Sequence, residues 1–240
     1  MPNPYATVML TRPHDASLRF AQDLMPMLNA ETHVIISPLL KIVPVISDHD
    51  LNDYAGVIFT SSNGVLFGGP SGAHPAFCVG RETTRATRQA GWEAYHLGDT
   101  AEDIIATLIQ QNPQYPLLHI GGRHKRNRVA DRLTQAGLET HEAVVYDQVE
   151  QTFSPEAMAL LDLAVDVIVP LFSPRTAKIF ASQYKGCARL HFIAMSEAVS
   201  EEINAMQSIS KSIARSPDAL EMKASVYEAL RRVEAGDAPL

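Results

Sequence analysis

AGVIFTSSNGVLF (Ala55–Phe67) reads as an apolar strand, a Ser/Thr turn and the opening of a helix, and DVIVPLFSPRTAKIF (Asp166–Phe180) repeats that grammar about 110 residues later. Three further pairs extend the echo. PAFCVGRETTRATRQAG, from Pro75, answers LHFIAMSEAVSEEINAM, from Leu190; HLGDTAEDIIATLI, from His96, answers IARSPDALEMKASVYEAL, from Ile213. VMLTRPHDASLRFAQDL, from Val8, corresponds to LHIGGRHKRNRVADRL, from Leu118. A chain that states one pattern twice predicts two similar lobes. Two lobes facing one another form a cleft, the usual shape of a ligand site.

Short apolar runs alternate with helical patterns throughout, which predicts βα repeats feeding parallel sheets of about five strands per lobe. Helices are expected over residues 14–28, 82–90, 127–135, 174–184, 197–206 and 218–233. Turn chemistry marks their ends: Ser173-Pro174 supplies a cap and a first-turn proline, Ser216-Pro217-Asp218 does much the same, and Gly91 and Gly137 stop helices. Two stretches break the rhythm, SPLLKIVPVISDH (Ser37–His49) and ETHEAVVYDQVEQTF (Glu139–Phe153). Both are extended in character, and neither leads directly into a helix. If the chain crosses between lobes at both, residues 1–38 plus 150–240 make one discontinuous α/β lobe, with 39–149 inserted as the second. The competing arrangement is one large doubly wound sheet with long loops.

Composition excludes several classes. The net charge is −7, so no general basic face exists for nucleic acid or an anionic membrane. Two cysteines, Cys78 and Cys187, are too few for a disulfide framework and suit a reducing compartment. No stretch combines a basic and an apolar region in the manner of an export signal, and no apolar run approaches membrane-spanning length. A cytoplasmic protein is expected.

In open α/β sheets, ligands sit beyond the carboxyl ends of the strands. The residues expected there are Arg12, Thr60, Ser61, Ser62, Asn63, Arg81, Thr83, Gly122, Arg123, Ser173, Arg175 and Ser196. These hydroxyls, glycines and arginines offer many donors and suit carboxylates or phosphates. Thr60, Ser62, Ser173 and Ser196 serve equally well as helix caps. GGRHKRNRVADRL concentrates Arg123, Lys125, Arg126, Arg128 and Arg132 in an otherwise acidic chain. Arg123 and Arg126 lie nearest the strand end; Arg128 and Arg132, four apart on a helix beginning near His124, read as a solvated face with Asp131.

Other chemistries find no footing. No Cys/His cluster has zinc spacing, no P-loop or GxGxxG follows a strand, and no GxSxG elbow exists, so no metal or cofactor is expected. His119 and His124 read as isolated structural or surface residues. Tyr146 stands out because it lies in the second connector, VVYDQ, where a phenol could project into an interlobe cleft. A neutral phenol there can donate a proton to a leaving oxygen, or can simply cover the connector as an amphipathic ring.

The ordered set LTRP, VIFTSSNGV, CVGRETT, HIGGR, VVYDQ, FSPRTA and AMSEAVSEEI resembles the uroporphyrinogen-III synthase family across nearly the whole chain. The resemblance implies two flavodoxin-like lobes joined by a two-stranded antiparallel linker, and no cofactor. It implies a lyase acting on hydroxymethylbilane, a linear tetrapyrrole bearing eight carboxylates, by loss of water and inversion of ring D. It points to Tyr146 as proton donor to the departing hydroxyl, and to Thr83 and the Thr60-Ser61 turn as substrate contacts. It further implies a monomer that receives its substrate from the preceding enzyme. The chain departs from the family where many relatives have Gly-x-x-Thr and it has Ser196-Glu197-Ala198-Val199, and in the short GGPSGAH segment after FTSSNGV. A non-catalytic binder of small anions, or an enzyme of phosphorylated sugars, would use the same donors.

Overall fold

The computed structural model describes residues 6–113, 116–124 and 128–236. It divides into two compact units: one runs up to Lys41 and resumes at Glu150, and the other is Ile42–Val149. In chain order, β1 (Thr7–Leu10), α1 (His14–Leu24) and β2 (Val34–Ile36) begin the first unit. β3 (Leu40–Pro44) crosses into the second, which contains β4 (Gly56–Phe59), α2 (Ser62–Phe67), β5 (Pro75–Cys78), α3 (Arg81–Gln89), β6 (Glu93–His96), α4 (Ala101–Gln111), β7 (Leu117–Gly122) and α5 (Val129–Gln135). β8 (Thr140–Glu150) returns, and α6 (Pro155–Leu161), β9 (Asp166–Leu171), α7 (Pro174–Gln183), β10 (Arg189–Ala194), α8 (Glu197–Glu201), β11 (Ser210–Ile213) and α9 (Ala219–Ala235) complete the first unit.

The first unit's sheet has the order β2-β1-β9-β10-β11 and the second unit's β3-β8-β7-β4-β5-β6. The first is the flavodoxin order, 2-1-3-4-5. The paired sequence segments fall on corresponding strands: β4 with β9, β5 with β10, β6 with β11 and β7 with β1. The second copy is therefore the first with its chain order rotated, since it begins on the strand equivalent to the third of its partner. That rotation explains why the echo of VMLTRP, at the start of one copy, comes fourth in the other.

Central strands carry near-continuous apolar runs because helices cover both sheet faces. Val167 to Leu171 of β9 are all buried, and so are Gly56 to Phe59 of β4. The first unit accordingly has one core around Phe180, Phe192 and Leu161 and another around Phe20, Leu24 and Met222. In the second unit, Phe59, Trp92 and Tyr146 share one face, while Ile58, Ile104 and Leu133 share the other. β9 pairs with β1 at Thr7↔Val167 and Val8↔Ile168, short of Pro170, whose nitrogen has no hydrogen to give a ladder.

The two connectors pair as strands. Val45 donates to Val145 at 2.9 Å and Gln151 to Leu39 at 3.0 Å, so residue numbers rise on one strand as they fall on the other, the mark of an antiparallel ribbon.

Several local expectations need correction. Residues 14–28 are not one α-helix: α1 ends at Leu24 and passes into a 3-10 turn over Met25–Met27, because Pro26 lacks an N–H for the helical ladder. The helix after GGRHKR begins at Val129, with Arg128 left-handed at φ 46°, so Arg128 and Arg132 do not share a helical face. Arg128 pairs with Asp131 and Arg132 with Glu102. The helix expected over 197–206 ends at Glu201. The second connector does lead into a helix, α6, which Ser154 caps by accepting from Ala157 N–H and Pro155 opens.

Candidate functional site

The second unit's sheet reverses its order of construction between β7 and β4, and the carboxyl edge at such a switch point is where a doubly wound sheet binds ligands. Ser61 follows β4 there with extended backbone, and its oxygen accepts from Gly64 N–H at 3.2 Å, capping α2. Tyr146 reaches it from β8: the phenol oxygen lies 3.1 Å from Ser61 Oγ, and either oxygen can donate. The phenol must cross β7 to get there. It passes over Gly122, where a built Cβ would stand 2.5 Å from Cε2 and Cζ of the ring.

A register irregularity puts the ring on that face. Gly121 pairs with Val144 and Gly122 with Tyr146, so Val145 is skipped. Without the shift, alternation would turn Tyr146 away from Val145 and Ala143. With it, Tyr146 joins them in the core beside Phe59 and Ile120, its ring 6.3 Å from that of Phe67. The result is a buried aromatic body with its hydroxyl at the sheet edge. Two hydroxyls in contact can move a proton: if Tyr146 gives its hydrogen to a leaving oxygen, the Ser61 O–H can stabilise the phenolate left behind.

The opposite face holds a second hydroxyl. Thr60 Oγ1 lies 3.1 Å from His119 Nε2, and His119 Nδ1 lies 3.7 Å from Glu142 Oε1. In-register pairing explains this, because His119 is flanked by Ile58 on β4 and Glu142 on β8, and Thr60 is two residues beyond Ile58 on the same face. Thr60 and Ser61 are thus anchored from opposite sides of one sheet. His119 is a buried histidine with neighbours on two other segments, Thr60 and Glu142. Its neighbours depend on strand order, which one strand's pattern does not carry.

Arg123 extends from the end of β7, and its Nε donates to Asp147 Oδ2 at 2.8 Å, while His124 Nε2 lies 3.2 Å from Oδ1. The Gln148 N–H, foremost, and the Arg123 guanidinium hold the Asp147 carboxyl below its usual range against the opposing effect of burial. Arg126 lies outside the described residues. Ser62 and Asn63 form the first turn of α2, half-buried. Arg81 opens α3 exposed, after Gly80 at φ 80°, whereas Thr83 is buried in the first turn.

In the first unit, Arg12 follows β1 with its guanidinium carbon 4.3 Å from the centre of the Phe172 ring, a cation–π contact. Ser173 caps α7 by accepting from Thr176 N–H and donates to the Thr176 hydroxyl. Arg175 lies 3.6 Å from Glu150. Ser196 precedes α8 without a side-chain capping bond, and Val199 is buried in the core. The structure therefore joins Tyr146, Ser61 and Gly122 into one group and Thr60 into another. Arg12, Ser173, Arg175 and Ser196 stand on a separate unit.

Parallel sheets in a flavodoxin order and its rotated copy, with hydroxyls and arginines at their carboxyl edges, define a doubled flavodoxin-like α/β protein joined by a two-stranded linker. Residues 28–222 match the family model described as uroporphyrinogen-III synthase HemD, and the chain belongs to that family, whose members are enzymes of tetrapyrrole biosynthesis. The crystal structure of uroporphyrinogen-III synthetase from Helicobacter pylori 26695 superposes with a TM-score of 0.66 at 15% identity, over 95% of this chain and 100% of that one. A mutant uroporphyrinogen III synthase from the extremely thermophilic bacterium Thermus thermophilus gives 0.51 at 12% identity, over 97% and 100%. At such identities the likeness is one of fold. No curated protein sequence matches the chain. Among the described residues, no helix is long and apolar enough to cross a membrane.

Proposed function

We propose that this chain is a uroporphyrinogen-III synthase, a lyase that closes hydroxymethylbilane with loss of water and inversion of ring D. The observation that carries the reading is the Tyr146–Ser61 hydroxyl pair, held at the switch-point edge in a chain of this family. As ring A nitrogen electrons move outward, the C–O bond of its hydroxymethyl group breaks and the oxygen leaves as water with a proton from Tyr146. The substituted carbon of ring D attacks the resulting azafulvene cation and forms a spiro centre. The older bond from that carbon to its methylene then breaks, the methylene rejoins at the free ring D carbon, and that carbon's proton departs. Tyr146 regains a proton, and the sum is bilane to cyclic product plus water.

Side chains have little covalent work in this scheme; they hold a flexible chain in the geometry that favours attack by the substituted carbon. Ser62, Asn63, Arg81, Thr83, Gly122, Arg123 and Arg126 are the carboxylate-holding set on one unit, and Arg12, Ser173, Arg175 and Ser196 on the other. Arg123 keeps Asp147 as its partner until a substrate carboxylate competes for it. The enzyme works in the cytoplasm as a monomer and takes its unstable substrate from the enzyme that makes it. Incubation with enzymatically generated hydroxymethylbilane, followed by oxidation and separation of the porphyrins, should give the type III isomer. Type I alone, at the spontaneous rate, would sink the reading.

A further inference from the structure

Thr60 sits beside Ser61 on the turn after β4, but its surroundings differ. Ser61 meets another hydroxyl; Thr60 meets an imidazole nitrogen at 3.1 Å, whose ring has a carboxylate 3.7 Å from its other nitrogen. His119 is buried among the strands and Thr60 is half-buried at their edge. The negative charge of Glu142 favours a hydrogen on Nδ1. In the neutral ring that leaves Nε2 as an acceptor, and a hydroxyl is the only one of the two groups with a hydrogen to offer it.

We infer that His119, whose Nδ1–H tautomer the Glu142 carboxylate 3.7 Å away favours, is a positioning residue that takes the Thr60 hydroxyl hydrogen and so turns Thr60 into a hydrogen-bond acceptor at the site. A hydroxyl with its hydrogen engaged has only lone pairs to present. Thr60 then repels carboxylates and selects an N–H donor. The inference rests on the proposed substrate, in which the N–H donors are the pyrrole nitrogens. A turn with an acceptor at Thr60 and a proton-moving hydroxyl at Ser61 distinguishes a pyrrole core from its carboxylate arms, which a set of donors alone does not.

The direct test is histidine-ring nitrogen NMR of the folded protein, at a pH where the ring is neutral, with the His119 signals assigned by their loss in His119→Gln. A predominantly Nδ1–H ring is expected; a predominantly Nε2–H ring overturns the inference, because His119 would then be the donor and Thr60 would keep its own hydrogen. This measurement needs no substrate, so it can fail while the synthase reading stands, and it can succeed if that reading falls. The kinetic arm uses Thr60→Val, which removes the acceptor but keeps the shape. It should raise KM about 3–10-fold, the effect of one lost hydrogen bond between neutral groups, with kcat little changed. His119→Phe should raise KM similarly, and the double variant should be no worse than Thr60→Val alone. Additive losses would show that His119 acts elsewhere than through Thr60.

Discussion

The Tyr146 ring lies across Gly122 so closely that a single added carbon at Gly122 would stand 2.5 Å from two ring atoms. The glycine is there because the phenol has to cross β7 to reach Ser61. Gly122→Ala should therefore displace the phenol from Ser61 while leaving both residues present. Turnover should fall about 10–100-fold, up to the lower end of the ~10²–10⁴-fold that a general acid contributes, with near-native circular dichroism. Full activity in Gly122→Ala would show that the ring's crossing has no part in the reaction.

Tyr146→Phe keeps the ring in its core and removes only the oxygen. It should slow turnover by about 10–100-fold and leave KM within a few-fold, since a proton donor acts on the transition state. Ser61→Ala should do two separable things: lower stability by about 0.5–2 kcal/mol through loss of the α2 cap, measured by denaturant unfolding, and slow turnover through loss of the phenol's partner. A stability loss with no kinetic effect would confine Ser61 to capping.

Acid should loosen the first unit through Asp166. Burial alone pushes its carboxyl up, but hydrogen bonds and charge from Arg189 and His191 outweigh burial and hold it below the ordinary aspartate range. With a depressed native value, the unfolded chain takes up the proton first as pH falls. The stabilisation is therefore complete above the unfolded value of ~4 and is lost as pH drops through the native one. Asp166→Asn should lower Tm at neutral pH and flatten its decline in acid. An acid limb of unchanged steepness would assign that decline to other carboxylates.

Phe180 has no exposed surface and packs edge-on against Phe153 and Phe192, with ring centres at 5.1 and 5.5 Å, and stacks on Tyr184. Phe180→Ala should destabilise the protein by about 3–5 kcal/mol in denaturant unfolding. A loss under about 1 kcal/mol would mean that the cluster collapses around the gap.

Strand-and-turn grammar made the doubled fold readable, because buried parallel strands such as DVIVPL are apolar on both faces and stand out in a chain. The displaced echo of VMLTRP shows a pairing only, and it takes the strand order to show that the second copy is rotated. What sequence pattern missed depended on partners. β6, EAYH, lies at a sheet edge and buries only Ala94, so its composition is not that of a strand. His119 looked isolated because Glu142 and Thr60 reach it from two other strands. Tyr146 came into view through its place in the second connector, but its face was set by the skipped Val145, which strict alternation does not foresee.

The most direct test of the central claim is the fraction of type III isomer formed from hydroxymethylbilane as protein concentration is raised. The account predicts that the fraction climbs from near zero without protein toward completeness, at a rate proportional to protein. A product that stays type I at every concentration would contradict it.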